Sequence, residues 1–278
     1  MNKKIVVHGH RGSRGTHPEN TLPAFQEAVD AGAQFLELDL HLTADDVLVV
    51  VHDPELTAKL CKGPNGKTLK KAVSVRKIKL KELKKYDCGS VAQDKFPEQK
   101  RVPGTRIPTL EEVLAWRAKV APTIELNIET KMDGQNVPTP EIFVTKVIEL
   151  LRKYQAIEAT ILQSFEFKTL EAAKKMEPKL RLSALFDEKE KDICNRAAQL
   201  GVQVVSPHFS LATMEEIKAC HAKSLQVVPW TLNEESQWTA AIAAGVDGII
   251  TDYPRKLMRF LNPPPPVVAP TPVPTTKP

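Results

Sequence analysis

Short apolar runs alternate with amphipathic stretches along most of the chain. Each run is followed by a segment with the apolar spacing of a helix, and Gly32, Gly201 and Gly245 stand where helices should end. The runs predict strands over residues 5–8, 35–40, 123–129, 159–163, 181–185, 203–206, 225–229 and 247–250. A strand repeatedly followed by a helix, eight times over, predicts an α/β fold of the (β/α)8 or TIM-barrel class, with a doubly wound open sheet as the alternative.

One further apolar run, DDVLVVVHD over residues 45–53, does not fit this alternation. It follows the second strand after a turn that is far too short for a parallel crossover, so the two runs are predicted to form an antiparallel hairpin. If the turn is centred between Asp45 and Asp46, Asp39 faces His52. The hairpin would then bring that histidine beside the carboxylates of the second strand.

The segment from about 53 to 106 predicts an insertion between the second strand and its helix. It is rich in Lys, Gly and Pro and too long for an ordinary strand-to-helix loop, so we expect a small subdomain over the barrel mouth. The barrel domain is predicted over residues 1–261. The proline-rich tail, residues 262–278, is predicted to be disordered or extended.

The alternation of side chains in two strands predicts which of them face the barrel interior. In FLELDLHL (35–42) the leucines share one face and Glu37 and Asp39 the other, and in TIELNIETK (123–131) Glu129 lies opposite the isoleucines. The apolar faces should pack on the helices, so the carboxylates point into the barrel. Barrel active sites lie at the carboxyl ends of the strands, where these groups would meet.

Glu37, Asp39 and Glu129 therefore form a candidate metal site. Three carboxylates offer the oxygen ligands that a hard cation such as Mg²⁺ or Ca²⁺ prefers. The alternative is purely structural, since the same carboxylates could pair with Lys131 or Arg11 and hold the barrel together. The strand pattern by itself leaves both interpretations open.

Composition and charge exclude some classes of protein. The 278 residues are 42% hydrophobic and 26% charged, which is typical of a globular protein, and the net charge of +5 is mild. The lysine-rich segment 59–85 lacks interleaved aromatic residues, so a solvated face is favoured over a nucleic-acid surface.

The compartment of the chain is predicted from segments that would direct it to a membrane or out of the cell. No run suggests a transmembrane helix or a signal-peptide core, so stable membrane insertion is not expected. We expect a cytoplasmic protein, or a periplasmic or secreted one if a leader has been removed. The oligomeric state stays unassigned.

The four cysteines, Cys61, Cys88, Cys194 and Cys220, show no spacing typical of a zinc site. Cys61 and Cys88 lie near each other in the sequence and could pair in an oxidising compartment. Reduced thiols are the favoured expectation for a cytosolic protein.

The first strand runs into a stretch crowded with histidines and arginines, HGHRGSRGTHPENT, residues 8–21. His8 and His10 have the same parity, but His8 lies one pleat deeper and is predicted to be a buried scaffold residue. His10 should emerge at the mouth. Trp230, at the end of the seventh strand, could form an apolar wall against a glycerol group or a lipid tail, or simply belong to the core.

An ordered set of short motifs resembles the glycerophosphodiester phosphodiesterase family over about residues 5–260. The pieces are HRG at 10–12, PENT at 18–21, ELD at 37–39, HD at 52–53, ETK at 129–131, IPTLEEVL at 107–114, QSF at 163–165, PWTLN at 229–233 and GIITDYP at 248–254. The resemblance implies a (β/α)8 barrel with an insertion after the second strand. It also implies a role for each matching residue: Glu37, Asp39 and Glu129 would hold one divalent cation, His10 and His52 would be the acid–base pair, and Arg11 and Lys131 would contact the phosphate.

The resemblance implies hydrolysis of small glycerophosphodiesters to glycerol 3-phosphate and an alcohol. In the family's reaction a glycerol hydroxyl attacks first, and water then opens the cyclic phosphate. A phospholipase D-type activity on lysophospholipids is the nearest alternative. An inactive barrel that binds phosphate ligands is the alternative of another class.

Overall fold

The computed structural model describes residues 4–132 and 137–263, so most of the predicted disordered tail, 262–278, lies outside the described residues. The strands are β1 (Val6–Gly9), β2 (Phe35–Leu42), β3 (Leu48–Val50), β4 (Glu55–Leu56), β5 (Val73–Ser74), β6 (Glu125–Thr130), β7 (Thr160–Ser164), β8 (Arg181–Phe186), β9 (Val204–Pro207), β10 (Gln226–Val227) and β11 (Gly248–Thr251). The α-helices are α1 (Leu22–Asp30), α2 (Leu80–Leu83), α3 (Leu110–Val120), α4 (Pro140–Lys153), α5 (Phe167–Met176), α6 (Ile193–Leu200), α7 (Met214–His221), α8 (Glu235–Ala244) and α9 (Pro254–Leu261).

Eight parallel strands form a nearly closed barrel in the order β10-β9-β8-β7-β6-β2-β1-β11. The two ends of this sheet meet through hydrogen bonds from the Asp247 amide to the Val227 carbonyl (2.9 Å) and from the Ile250 amide to the Pro229 carbonyl (3.0 Å). The barrel is therefore of the predicted (β/α)8 class, and the open doubly wound sheet is excluded.

Local sequence signals set the helix boundaries. Thr109 and Glu112 form a capping box at the start of α3. Gly32, Gly201 and Gly245 all have positive φ angles, 86°, 66° and 97°, as expected for residues that end helices. Among the helices of the described ranges, none combines the length and apolarity needed to cross a bilayer.

The barrel separates two apolar cores, as the strand parity predicts. Leu36, Leu38 and Leu40 of β2 point outward and belong to the large core under the helices. Inside the barrel, a smaller cluster fills the lower end: Phe35, Ile161, Val204, Val228 and Ile250. The polar mouth lies above this apolar plug, so the plug forms a water-excluding floor for it.

The β2–β3 hairpin forms, but its predicted register is wrong by one residue. Leu40 pairs with Val50, and the Val51 amide donates to the Asp39 carbonyl (3.0 Å), so Val51 rather than His52 lies opposite Asp39. The reason is a five-residue loop in which the Thr43 hydroxyl accepts a hydrogen bond from the Val47 amide (3.1 Å). His52 follows the strand instead of belonging to it.

The segment between β3 and α3 has a small core of its own and rests on the barrel mouth. This core consists of Val49 of β3 together with Val51, Leu56, Cys61, Val75, Leu83, Cys88 and Ile107 of the segment. Gln99 donates through its side-chain Nε2 to the carbonyls of Arg14 (2.8 Å) and His17 (3.0 Å). These bonds attach the insertion to the loop between β1 and α1.

The expectation of reduced thiols is wrong, because the structure contains two disulfides. Cys61 pairs with Cys88 inside the insertion, and Cys194 of α6 pairs with Cys220 of α7. The Cα atoms lie 4.0 and 4.9 Å apart although the partners are 27 and 26 residues apart in sequence. Only the packing of the insertion and of neighbouring helices brings these thiols together, which no short spacing motif could predict.

Replacing Cys61 and Cys88 together by Ser should lower the free energy of unfolding. Closing a loop of this length is worth about 3 to 4 kcal/mol through the entropy of the unfolded chain. Urea unfolding of the oxidised protein and of the double variant measures the difference, with the Cys194→Ser, Cys220→Ser pair as a matched control for a loop of similar length. Four reactive thiols in the denatured, unreduced protein would contradict both disulfides.

Candidate active site

His10 leaves the end of β1 at the mouth and is oriented by Asp252. Its Nδ1 lies 2.6 Å from Asp252 Oδ1, and Asn233 Nδ2 donates to the other oxygen of that carboxylate at 2.7 Å. Burial lowers the pKa of His10, while Asp252 opposes this by favouring the charged ring. Burial alone would raise the pKa of Asp252, but His10 beside it contributes to lowering it to about 2. Asp252 is therefore ionised and keeps Nε2 of His10 available for proton transfer.

Glu37, Asp39 and Glu129 converge at the mouth, with one oxygen of each within 4.8 Å of the others. The parallel register of β2 and β6 places Asp39 directly opposite Glu129. Burial, and then the two neighbouring carboxylates, raises the pKa of Glu37 well above its usual range. Burial raises the pKa of Glu129 to about 7, although Lys131 opposes this. Two of the three carboxylates are thus poorly stabilised as anions by the protein alone.

Lys131 and Arg11 compensate part of this charge. Lys131 Nζ lies 2.6 Å from Glu129 Oε1 and 3.3 Å from Asp39 Oδ1, and Arg11 Nε lies 3.3 Å from Asp39 Oδ2. Burial by itself raises the pKa of Asp39, but Lys131 and Arg11 lower it well below its usual range. The alternative that the carboxylates pair with Lys131 and Arg11 is therefore partly correct, because these ion pairs exist at the candidate metal site.

The same carboxylates also meet the requirements of a hard divalent cation. Asp39 Oδ1 and Glu129 Oε1 are buried, and Lys131 Nζ approaches them at 3.3 and 2.6 Å, which leaves further lone pairs of both oxygens for a cation. Three oxygen donors face only two cations, which leaves negative charge and free lone pairs at one point. Such a donor set fits Mg²⁺ or Ca²⁺.

Arg11 is held in place by acidic partners. It adopts a positive φ of 49°, its amide donates to Glu37 Oε2 (2.8 Å), and its Nη1 donates to Glu19 Oε1 (2.8 Å). Burial by itself lowers the pKa of the guanidinium, but the surrounding carboxylates raise it overall, so it is permanently charged. Its backbone thus orients a candidate metal ligand, while its side chain lines the cavity.

His52 reaches the mouth from the insertion side. Its Nδ1 lies 2.6 Å from Asp53 Oδ1, and its carbonyl oxygen lies 2.9 Å from His41 Nε2. The ring is about one third exposed and lines the same cavity as His10. Each candidate histidine therefore has a carboxylate at Nδ1, which leaves Nε2 for chemistry.

Nearly all the predicted site residues line one cavity of about 290 Å³. Those that line it are His10, Arg11, Glu37, His52, Glu129, Lys131 and Trp230. Asp39 is only 1% exposed and lies beneath the cavity wall. Trp230 donates through Nε1 to the Ser206 carbonyl (2.9 Å), and its ring meets Phe165 edge-on at 5.7 Å. The tryptophan is thus part of the cavity wall and is not a plain core residue.

Sequence reasoning missed the residues that orient these groups. Asn20 donates to Asp39 Oδ2 (2.8 Å), and Gln163 donates to Glu37 Oε1 (3.0 Å). Asp252 orients His10. All three lie within motifs noted above, PENT, QSF and GIITDYP. The motifs could therefore have pointed to these residues, but not to the groups that each of them orients. His8, by contrast, is buried against Phe35 with ring centroids 4.2 Å apart, as predicted for a scaffold residue.

Known proteins resemble this chain over nearly its whole length. Residues 10–256 match the glycerophosphoryl diester phosphodiesterase family. The chain belongs to this family. A glycerophosphodiester phosphodiesterase of Caldanaerobacter subterraneus is 32% identical over 93% of this chain and 98% of its own length. A Silicibacter pomeroyi protein assigned to the same activity superposes with a TM-score of 0.88 at 29% identity, covering 94% of both chains.

A lysophospholipase D of Rattus norvegicus is 28% identical over 91% of this chain and 85% of its own length. Membership of the family makes the chain an enzyme, a phosphoric diester hydrolase. The inactive ligand-binding barrel is therefore not supported.

Replacing Asp252 by Asn should lower the pKa of His10, because the carboxylate is the group that favours the charged ring. Histidine resonances followed by NMR against pH measure this shift, and kcat/KM should fall by about 10-fold or more because the ring loses its orientation. Asp30→Asn, which changes an exposed carboxylate on α1, is the matched control. An unchanged His10 titration in the Asp252 variant would contradict the role assigned to Asp252.

Proposed function

We propose that the protein hydrolyses glycerophosphodiesters to glycerol 3-phosphate and an alcohol, with one bound divalent cation and His10 and His52 as the acid–base pair. The observation that supports this most directly is the single cavity in which both histidines meet the carboxylate cluster. The relatives named above carry out this class of reaction according to their names.

Glu37, Asp39 and Glu129 would hold the cation, either Mg²⁺ or Ca²⁺. When bound, the ion would supply positive charge to the phosphoryl oxygens and lower the pKa of the attacking hydroxyl. Asn20, Gln163 and the Arg11 amide orient the carboxylate oxygens through hydrogen bonds. Such surrounding bonds fix the direction in which ligand oxygens point.

The two histidines would divide the proton transfers. In the first step, one histidine removes the proton of the glycerol 2-hydroxyl, whose oxygen forms a new bond to phosphorus. The bond from phosphorus to the alcohol oxygen breaks, and the other histidine protonates that oxygen. Water then opens the resulting cyclic phosphate with the proton transfers reversed, which yields glycerol 3-phosphate.

Lys131 and Arg11 would contact the phosphate. Both line the cavity, and both are held beside the carboxylate cluster by ion pairs. Arginine offers several donors on one planar group, so Nη1 can remain on Glu19 while another donor reaches an oxygen of the substrate. Their charge would stabilise the extra negative charge that develops on the phosphoryl oxygens during attack.

Hydrolysis of lysophospholipids by the same centre is the second candidate. Phe165 is 45% exposed at the cavity wall beside Trp230, which would suit an acyl chain leaving the mouth. Comparing the rates on glycerophosphoglycerol and lysophosphatidylglycerol separates the two candidates, because these substrates share a head group and differ only in the chain.

The disulfides favour an oxidising compartment over the cytoplasm. All four cysteines are paired, and such pairs persist mainly in periplasmic or extracellular proteins. We therefore propose that the enzyme acts outside the reducing cytoplasm.

Replacing His10 or His52 by Ala should lower kcat by about 10²- to 10⁴-fold, since each removes one partner in proton transfer. Steady-state kinetics on glycerophosphoglycerol with Mg²⁺ or Ca²⁺ measure the loss, and circular dichroism confirms that the fold is kept. The control is His221→Ala, which removes a histidine of α7 that pairs with Asp247 and does not line the cavity. Near-normal turnover in either cavity variant would overturn the assignment.

Chelation with EDTA should abolish activity, and adding back Mg²⁺ or Ca²⁺ should restore it. Independently of activity, the cation should raise the thermal midpoint of the wild type, because it binds the folded state only. Glu37→Gln should lose this increase, whereas Glu111→Gln, which changes a partly exposed carboxylate of α3 that does not line the cavity, should keep it. An equal increase in both variants would exclude the carboxylate cluster as the cation site.

A further inference from the structure

Two cations that line the cavity have no part in the proposed chemistry. Arg14 lies in the loop between β1 and α1, and Lys95 belongs to the insertion. Arg14 donates through Nε to Glu19 Oε2 (2.6 Å), and its other nitrogens make no hydrogen bond to the residues that the structure describes. Lys95 is exposed and forms no ion pair within the described ranges. Positive charge is therefore available at this side of the mouth.

Both cations rest on one aromatic ring. The Arg14 guanidinium lies 4.8 Å from the centre of the Phe96 ring, and the Lys95 ammonium lies 5.7 Å from it. Phe96 is buried, and its ring meets Tyr253 edge-on at 6.5 Å. Cation–π contacts of this kind hold a charged group in place without neutralising it. The Phe96 ring thus brings the two cations close to each other at the cavity.

The charges already assigned do not account for this pair. Arg11 and Lys131 are balanced by the carboxylate cluster, and Glu19 is a single carboxylate shared by Arg11 and Arg14. A phosphodiester carries only one negative charge, which Arg11, Lys131 and the cation would meet. Arg14, which is paired with Glu19, and Lys95 add positive charge at the cavity beyond the groups that would meet a simple phosphodiester.

We propose that Arg14 and Lys95 form a subsite for an anionic group on the alcohol part of the substrate. This inference rests on the proposed function. The glycerol part is uncharged in every glycerophosphodiester, so an additional cation pair can distinguish substrates only by the alcohol. The favoured substrates are those whose alcohol carries its own phosphate or carboxylate. Alcohols with a cationic group, such as choline or ethanolamine, are disfavoured by like-charge repulsion.

Two aromatic residues of the same cavity suggest the competing preference that a test must separate. Phe165 and Trp230 form an aromatic pair there, and aromatic faces can bind a quaternary ammonium group. Arg14 and Lys95, which line the same small cavity, oppose the binding of such a group. The ratio of kcat/KM on substrates with anionic and with cationic alcohols therefore shows whether the two cations or the aromatic pair determine which alcohol is preferred.

The test compares kcat/KM on glycerophosphoinositol and on glycerophosphoinositol 4-phosphate, which differ by one phosphate. The wild type should favour the phosphorylated substrate by about 10-fold or more at low ionic strength, and added salt should reduce this ratio. Lys95→Glu should remove or reverse the ratio, and Lys95→Gln should give an intermediate value. Lys71→Glu makes the same charge change at an exposed residue of the insertion that does not line the cavity, so it should keep the wild-type ratio.

Three results would overturn the subsite. They are a wild-type ratio near one, an unchanged ratio in Lys95→Glu, and a higher kcat/KM on glycerophosphocholine than on the phosphorylated substrate. Equal hydrolysis of both inositol compounds would reject the subsite while leaving the phosphodiesterase activity in place. Absence of hydrolysis of every glycerophosphodiester with Mg²⁺ or Ca²⁺ present would reject the proposed function itself, and the subsite with it.

Discussion

Burial of three carboxylates at one end of the barrel is the constraint on which the rest of the site depends. Glu37, Asp39 and Glu129 lie within a few ångströms of one another and are almost fully buried, so water screens them weakly. Their mutual repulsion must be offset, and among the described residues Lys131 and part of Arg11 serve this purpose. The elevated pKa values of Glu37 and Glu129 show that the offset is incomplete. A divalent cation would complete this compensation of charge. The cluster therefore contributes little to the stability of the fold by itself but suits the binding of a cation.

The remaining groups of the mouth are arranged around this cluster by hydrogen bonds from three different parts of the chain. The β1–α1 loop contributes Arg11, whose amide orients Glu37. The last barrel strand is followed by Asp252, which fixes His10. The insertion contributes Lys95 and places His52 at the cavity. The insertion therefore does more than cover the barrel, because it supplies one of the two candidate acid–base groups and half of the proposed anion subsite.

The fold and the site residues differ in how far they follow from local pattern. Strand alternation predicts the inward direction of Glu37, Asp39 and Glu129 because a pleated strand has a fixed period of two. The hairpin register could not be obtained in this way, since it depends on a loop closed by the Thr43 hydroxyl. The partnership of His10 with Asp252 joins residues 242 positions apart, and no local pattern encodes such a distance.

The sequence by itself determined the barrel class, the inward carboxylates and, through a family resemblance, the proposed roles of His10 and His52. These features follow from short-range periodicity and from motifs that lie along single strands. Only the tertiary structure decided which thiols pair, which carboxylate orients each histidine, and that Arg14 and Lys95 share the face of Phe96. Each of these is a contact between distant segments, and it exists only once barrel closure and the docking of the insertion bring those segments together.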